Sequence, residues 1–214
     1  RISLGVQSFS NRVLGQLGRQ HTVEDIWESV RILNQVFNNQ GDDNETTLNY
    51  SIDLISGLPG VSLAEWAETL YTAVNVLQPP PNHLSIYDLQ IESGTVFGKW
   101  YPEQRDDDDD DEKRDSSSSS TWRATQTTPL DGSKNVPPPL PSDRDAAFQY
   151  QFSAGYLRSK GFEHYEVSSY ARLAATQDDM PISPWRSRHN QVYWGYDTYW
   201  YSVGLGATSF VRNQ

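Results

Sequence analysis

The chain has 214 residues, 28 acidic against 17 basic side chains for a formal charge of −11, 36% hydrophobic residues and no cysteine. The apolar share lies below the ~45–50% of ordinary globular chains, so part of the sequence falls outside any core, and zero cysteines exclude disulfides, thiol catalysis and thiolate-held metal within these residues. No Lys/Arg cluster offers the counterion release on which nucleic-acid binding rests, and no stretch approaches the ~20 uncharged apolar residues of a transmembrane helix; nucleic-acid partners and membrane spanning are excluded.

Residues 1–9 read as a strand in which Ile2, Leu4 and Val6 alternate before polar Gln7 and Ser8, as where a sheet strand runs into its loop. The chain opens without Met and without signal- or transit-peptide character, so it is expected to begin inside a domain. Residues 23–37 place Val23, Ile26, Trp27, Val30, Leu33 and Phe37 at spacings of three and four, an amphipathic helix with Thr22 as its N-cap. A polar bulge over 38–47 precedes a second strand, 48–58, in which Asp53 stands between Ile52 and Leu54. Ser62-x-x-Glu65 is a capping box for a helix over 62–77, which Pro79, Pro80 and Pro81 terminate; a third strand follows over 83–91. Strands alternating with helices of this length imply parallel strands joined by helical crossovers.

From 102 to 138 the chain turns low-complexity, with aspartate at every position from Asp106 to Asp111, serine from Ser116 to Ser120, and prolines at 137–139. Residues 101–115 alone carry nine acids against three bases, over half of the net charge. Like charges repel and such residues bury nothing, so this segment is expected to be a disordered insertion rather than an acidic metal site. A helix over 142–159 capped by Ser142 or Asp143 follows, with Phe148, Phe152, Tyr156 and Leu157 on its apolar side. A short strand over 163–167 and a variable loop over 174–187 lead to Arg188-His189-Asn190-Gln191-Val192-Tyr193-Trp194 and a glycine-rich end.

Gln7, Asp53 and the 88–90 stretch all lie late in, or just after, expected parallel strands, whose ends share one mouth where ligands bind. A carboxylate inside an apolar strand needs a partner; for Asp53 a ribose diol and a neighbouring loop both qualify. Arg19, after Leu17-Gly18, could meet a ligand carboxylate or be an ordinary surface arginine. His189 sits with Asn190, Tyr193 and Trp194 within six residues, a grouping suited to a flat ligand or a heme iron, although a lone His is more often a plain hydrogen-bonding residue. His21, His83 and His164 show no partner pattern, and Gly204-x-Gly206 is too short for a dinucleotide fingerprint.

Together these segments resemble the radical S-adenosylmethionine proteins of the oxygen-independent coproporphyrinogen III oxidase family, and most closely its heme chaperone branch. The resemblance is carried by RISLGVQSF with LGR ending twelve residues after Gln7, by SIDLISGLPG, HLSIYDLQIESGTVFGKWY, LPSD, GFEHYEVSSYAR, RHNQVYW and GLGATSF, and it covers the chain apart from 38–47 and the insertion. It implies an α/β fold, the C-terminal half of a partial (β/α)6, TIM-like barrel: residues 1–101 as barrel units four to six, 102–138 as the disordered insertion, and 139–214 as a helix with the closing strand region and the heme motif. It implies that Gln7, Arg19 and Asp53 hold S-adenosylmethionine, with Asp53 at the ribose and Arg19 at the methionine carboxylate, while the strand around Leu89 and Gln90 contributes mainly backbone. His189, Asn190, Tyr193 and Trp194 match the heme-associated HNxxYW motif, His189 being a candidate iron ligand.

The family's 4Fe-4S cluster is held by CxxxCxxC, and this chain has no cysteine; the resemblance implies that the cysteine-bearing first half of the barrel and a C-terminal domain are not among these residues and are expected in a longer protein. The implied cofactors are therefore S-adenosylmethionine, heme and a cluster whose ligands would lie in a longer protein; no catalytic residue is assigned here, and the chain alone is expected to run no radical reaction. Three functions stand side by side: a heme chaperone that hands heme to an acceptor protein, a coproporphyrinogen III oxidase, and a truncated product without activity. The expected location is the cytoplasm, or an organelle if a transit peptide lies upstream, and a homodimer is an open expectation.

Overall fold

The computed structural model describes residues 1–38, 48–102, 137–174, 182–194, 200–204, 207, 209 and 210. Residues 39–47 of the expected polar bulge and nearly all of the expected disordered insertion lie outside the described residues, as do 175–181 of the variable loop and part of the glycine-rich end. Three strands, β1 (Ile2–Gln7), β2 (Tyr50–Ser56) and β3 (His83–Asp88), pair in parallel, and the crossovers run through α2 (Val23–Asn38) and α3 (Leu63–Tyr71). β3 ends at Asp88 rather than at 91: the Leu89 N–H makes the last rung of the parallel ladder, to the Ser56 carbonyl at 3.0 Å, and the chain leaves the sheet after it.

The helix signals work locally. Thr22 and Asp25 exchange side-chain and backbone hydrogen bonds at the start of α2, and Ser62 and Glu65 form a complete capping box on α3. α3 continues as a π-helical turn, Thr72–Val76, up to Leu77. Two short helices escape the periodicity argument for want of length: α1 (Asn11–Gln16) and α4 (Val96–Trp100).

The closing region departs from the parallel pattern. α5 (Asp143–Ser159), capped by Ser142, leads into a hairpin of β4 (Phe162–Glu166) and β5 (Ser169–Arg172), and β5 joins β3 antiparallel to give the order β1-β2-β3-β5-β4. The last helix, α6 (Arg188–Trp194), carries the histidine–tryptophan motif. α5 is also turned relative to its expected apolar side. It buries Gln149, Ser153 and Leu157 and leaves Phe148 and Phe152 exposed. Polar partners decide this: the Trp66 indole N–H donates to Ser153 Oγ at 2.9 Å, and Gln149 Oε1 accepts the Gly57 N–H at 2.9 Å.

The sheet has two unlike faces. Leu4, Val6, Tyr50, Ile52, Leu54, Leu84 and Ile86 point to the helices and pack with Ile26, Val30, Trp66, Leu70 and Leu157 into one core. The alternate positions, Ser3, Gly5, Gln7, Ser51, Asp53, His83 and Ser85, make the opposite face polar. The ends of the acidic insertion meet: the Tyr101 hydroxyl donates to the Pro138 carbonyl, and Pro139 accepts the Gly60 N–H at 2.9 Å. Gly60 has φ +65°, and a Cβ there would stand 2.8 Å from Pro138, so only glycine fits this junction. A long insertion is tolerated thermodynamically when its two ends are fixed side by side.

Candidate functional site

The polar face opens at the C-terminal ends of the parallel strands into a cleft of about 350 Å³ lined by Gln7, Arg19, Asp53, Ile55, Tyr87, Asp88, Leu89 and Gln90. Each of the three side chains expected to grip one ligand is brought there by a separate local device. Gln7 ends β1 beyond a bulge, one extra residue against β2, and takes φ +64°. The Ser8 N–H donates to the Val6 carbonyl across it at 2.7 Å, a three-residue turn that sends the backbone round sharply and leaves Gln7 buried. Its carboxamide lies over Gly5, where a Cβ would come within 3.0 Å of Nε2.

Arg19 is placed by the way α1 stops. The Gly18 N–H reaches the Gly15 carbonyl and the Arg19 N–H the Leu14 carbonyl, with Gly18 at φ +66°, a Schellman motif. The Leu17-Gly18-Arg19 triplet is therefore a helix ending that delivers a guanidinium to the cleft. Among the described residues no carboxylate meets it.

Asp53 is half-buried and accepts from Ser3 Oγ at 3.2 and 3.1 Å through its two oxygens, while Ser51 Oγ donates to Ser3 at 2.9 Å. One serine proton shared between two oxygens leaves most of the carboxylate's acceptor capacity free. Ser3 and Ser51 are the residues sequence reasoning missed, although their alternation with Leu4, Tyr50 and Ile52 marked their face. Asp88 and Ser56 are hydrogen-bonded to each other at the rim, and Asp88 also borders a second cleft with Gly57, Leu140 and Asp143.

A carboxylate with open lone pairs, an amide and a guanidinium that meets no carboxylate among the described residues form, in one cleft, a donor set for a ligand bearing a diol and a zwitterionic end. S-adenosylmethionine has both, and cavities of this size suit small ligands. A 4Fe-4S cluster does not fit these residues, since the chain offers no thiolate.

His189, Asn190 and Trp194 do not line that cleft. His189 and Trp194 are exposed on α6, Asn190 is half-buried with its N–H on Ser187 Oγ at 3.4 Å, and the Tyr193 side chain lies outside those described. The start of α6 is held instead from β4: the Arg186 guanidinium pairs with Glu163, whose carboxyl is kept below the usual range by that bond, and Tyr165 Oη accepts the Ser187 N–H at 3.0 Å.

The three histidines without a sequence pattern each find a partner. His21 Nε2 lies 3.4 Å from the Val6 carbonyl, and His164 stacks on Tyr170 with centroids 4.3 Å apart. His83 Nε2 lies 2.7 Å from Tyr165 Oη, and burial pushes this imidazole down to about 4.

No family model matches the chain. It is 35% identical to the heme chaperone HemW of Synechocystis over 99% of its length, covering 38% of that protein. It is 29% identical to HemW of Escherichia coli, covering 97% of this chain and 39% of the relative. With the bovine protein named radical S-adenosyl methionine domain-containing protein 1, mitochondrial, it shares 28% identity over 97% of this chain and 34% of the relative. The chain thus spans about two fifths of the length of the curated relatives it matches. Among solved structures it is similar to the coproporphyrinogen III oxidase HemN of Escherichia coli, described as a radical SAM enzyme, with a TM-score of 0.56 and 20% identity over 97% of this chain and 38% of that one. That likeness is one of fold, a mixed α/β arrangement around the five-stranded sheet. The resemblance read from the motifs is borne out across the chain.

Proposed function

We propose that the chain is the cofactor-gripping and heme-binding part of a radical S-adenosylmethionine protein of the heme chaperone kind, which binds heme and passes it to an acceptor protein. The observation that carries the reading is the meeting of Gln7, Arg19 and Asp53 at one cleft, from three separate stretches of chain. The naming of relatives such as those of Synechocystis and Escherichia coli as heme chaperones supports it. In this reading β1, β2 and β3 are strands four to six of a partial (β/α)6 barrel, with the polar sheet face as its interior. The segments 1–101, 102–138 and 139–214 are its barrel units, insertion and heme-bearing end.

In the cleft Asp53 would accept the two ribose hydroxyls, Arg19 would meet the methionine carboxylate, and Gln7 would bridge the two. Bound beside a 4Fe-4S cluster supplied by cysteines elsewhere in a longer protein, S-adenosylmethionine supplies one-electron chemistry; the residues here bind and orient it. His189, with Asn190, Tyr193 and Trp194, would hold heme on α6, the imidazole as an iron ligand and the aromatic rings against the macrocycle. The location is the cytoplasm or an organelle, one relative being named mitochondrial.

The test is a pair of titrations on the 214-residue chain. Asp53→Ala weakens S-adenosylmethionine binding by about 1–3 kcal/mol, the range for losing a charged hydrogen-bond acceptor, as read by calorimetry. His189→Ala diminishes the heme Soret titration. Unchanged affinities in both would remove these residues from their sites, and turnover of coproporphyrinogen III by the longer, cysteine-bearing protein would move the reading to the oxidase.

A further inference from the structure

The Tyr165 hydroxyl stands between two groups that lie far apart in sequence. On one side it accepts the N–H of Ser187, the residue ahead of α6, at 3.0 Å; on the other it lies 2.7 Å from Nε2 of His83 at the start of β3. Ser187 is the N-cap in all but name: its carbonyl accepts the Gln191 N–H at 3.1 Å and its hydroxyl the Asn190 N–H at 3.4 Å. The phenol therefore grips the residue from which the helix carrying His189 is launched.

The second bond holds in either imidazole tautomer: a phenolic oxygen that accepts the Ser187 N–H can still donate its O–H to Nε2, or accept an Nε2–H on its remaining lone pair. His83 is 2% exposed, and burial together with the Arg1 guanidinium keeps the imidazole neutral across the physiological range. Among the described residues Nδ1 is buried without a partner, so the ring depends on the Tyr165 bond for its hydrogen bonding.

Neighbouring contacts point the same way. The Arg186 guanidinium, paired with Glu163, lies over the Tyr165 ring at 5.4 Å from its centroid. The Ser183 hydroxyl donates to the Arg172 carbonyl, and Ser183 N–H reaches Glu163 at 3.3 Å. Residues 183–187 are thus tied to the β4–β5 hairpin at successive points, and Tyr165 holds the last of them.

We propose that Tyr165, backed by His83, is a positioning residue that sets where α6 begins and so where His189 and Trp194 stand for heme. Its functional meaning rests on the heme reading above; the positioning itself does not. In a single-site test, Tyr165→Phe keeps the ring against Arg186 and removes only the hydroxyl.

Amide hydrogen exchange on the heme-free chain is expected to accelerate about tenfold or more at 187–194, with β1, β2 and β3 unchanged. Heme titration of the same variant is expected to show at least threefold weaker binding and a displaced Soret maximum, while S-adenosylmethionine affinity holds. Unchanged exchange at 187–194 overturns the proposal, as does acceleration spread evenly over the sheet, which would mark Tyr165 as a general stabiliser. Should Tyr165→Phe not fold, His83→Gln takes its place, with the same confined acceleration expected and an even or absent one counting against. If exchange accelerates locally but neither wild type nor His189→Ala responds to heme, the positioning stands and the heme reading falls.

Discussion

At Gln7 the backbone does as much for the cleft as the side chain. A β-carbon at φ +64° costs about 1–2 kcal/mol relative to glycine, and the turn closed by Val6 and Ser8 holds it there nonetheless. Positive φ in a buried, non-glycine residue at a strand end is the kind of strain that sites retain, because glycine would relieve it and lose the carboxamide. The expected consequence separates backbone from side chain. Gln7→Gly should be more stable than Gln7→Ala by about 1 kcal/mol in urea unfolding, the reverse of the ordinary order within a strand, while both lose cleft binding to a similar degree. Equal stability of the two variants would mean that the turn relaxes around an alanine and that no strain is held. Gly5 belongs to the same arrangement, since its missing Cβ leaves the space in which the amide lies.

Among the elements, those announced by neighbours in sequence were readable, and those settled by distant partners were not. The caps at Thr22, Ser62 and Ser142 are contacts over three residues, and each starts its helix where the pattern places it. β5 is four residues long and exists because β3 and β4 flank it, which no local signal conveys. The apolar side expected for α5 holds at Leu157, which is fully buried, and fails at Phe148 and Phe152 for a related reason. Spacing favours Phe148, Phe152 and Tyr156, yet these form a partly exposed ladder, with Arg144 over Phe148 and Lys160 over Tyr156 at 5.5 Å each. Inside, the groups to be met are an indole N–H from α3 and a backbone N–H just past β2, so a glutamine and a serine fit better than an aromatic ring. Gln149→Leu, the substitution that apolar periodicity would favour, should therefore destabilise the chain by about 1–3 kcal/mol by stranding the Gly57 N–H, as measured by the midpoint of denaturant unfolding. A neutral or stabilising outcome would show that Gln149 does not dock the helix.

On the scale of the whole molecule, one sheet carries a core on one face and titratable chemistry on the other. The cleft was legible at Gln7, Arg19 and Asp53 because strand ends and a helix ending are local features that share a mouth. The serines behind Asp53 and the His83–Tyr165 pair were not, since 50 and 82 residues separate the partners and only the strand register joins them. His83 gives that polar face a pH dependence. The unfolded chain takes up the imidazole proton near the ordinary 6.5, the folded chain only at about 4, so between these values the unfolded state binds more protons and acid favours unfolding. The Arg1 guanidinium reinforces this, because it repels an imidazolium at His83. Full stability is present above pH 6.5; roughly 2 kcal/mol should be lost on reaching pH 5 and roughly 3 by pH 4. Glu163 and Glu65, held below the usual carboxylate range by Arg186 and by the Ser62 backbone N–H respectively, contribute only further down. The upper part of the window therefore belongs to His83, and His83→Gln should flatten the urea midpoint between pH 6.5 and 5 while wild type falls. A wild-type midpoint that stays level over that interval would mean that the imidazole charges freely in the folded chain and is not sealed at the foot of β3.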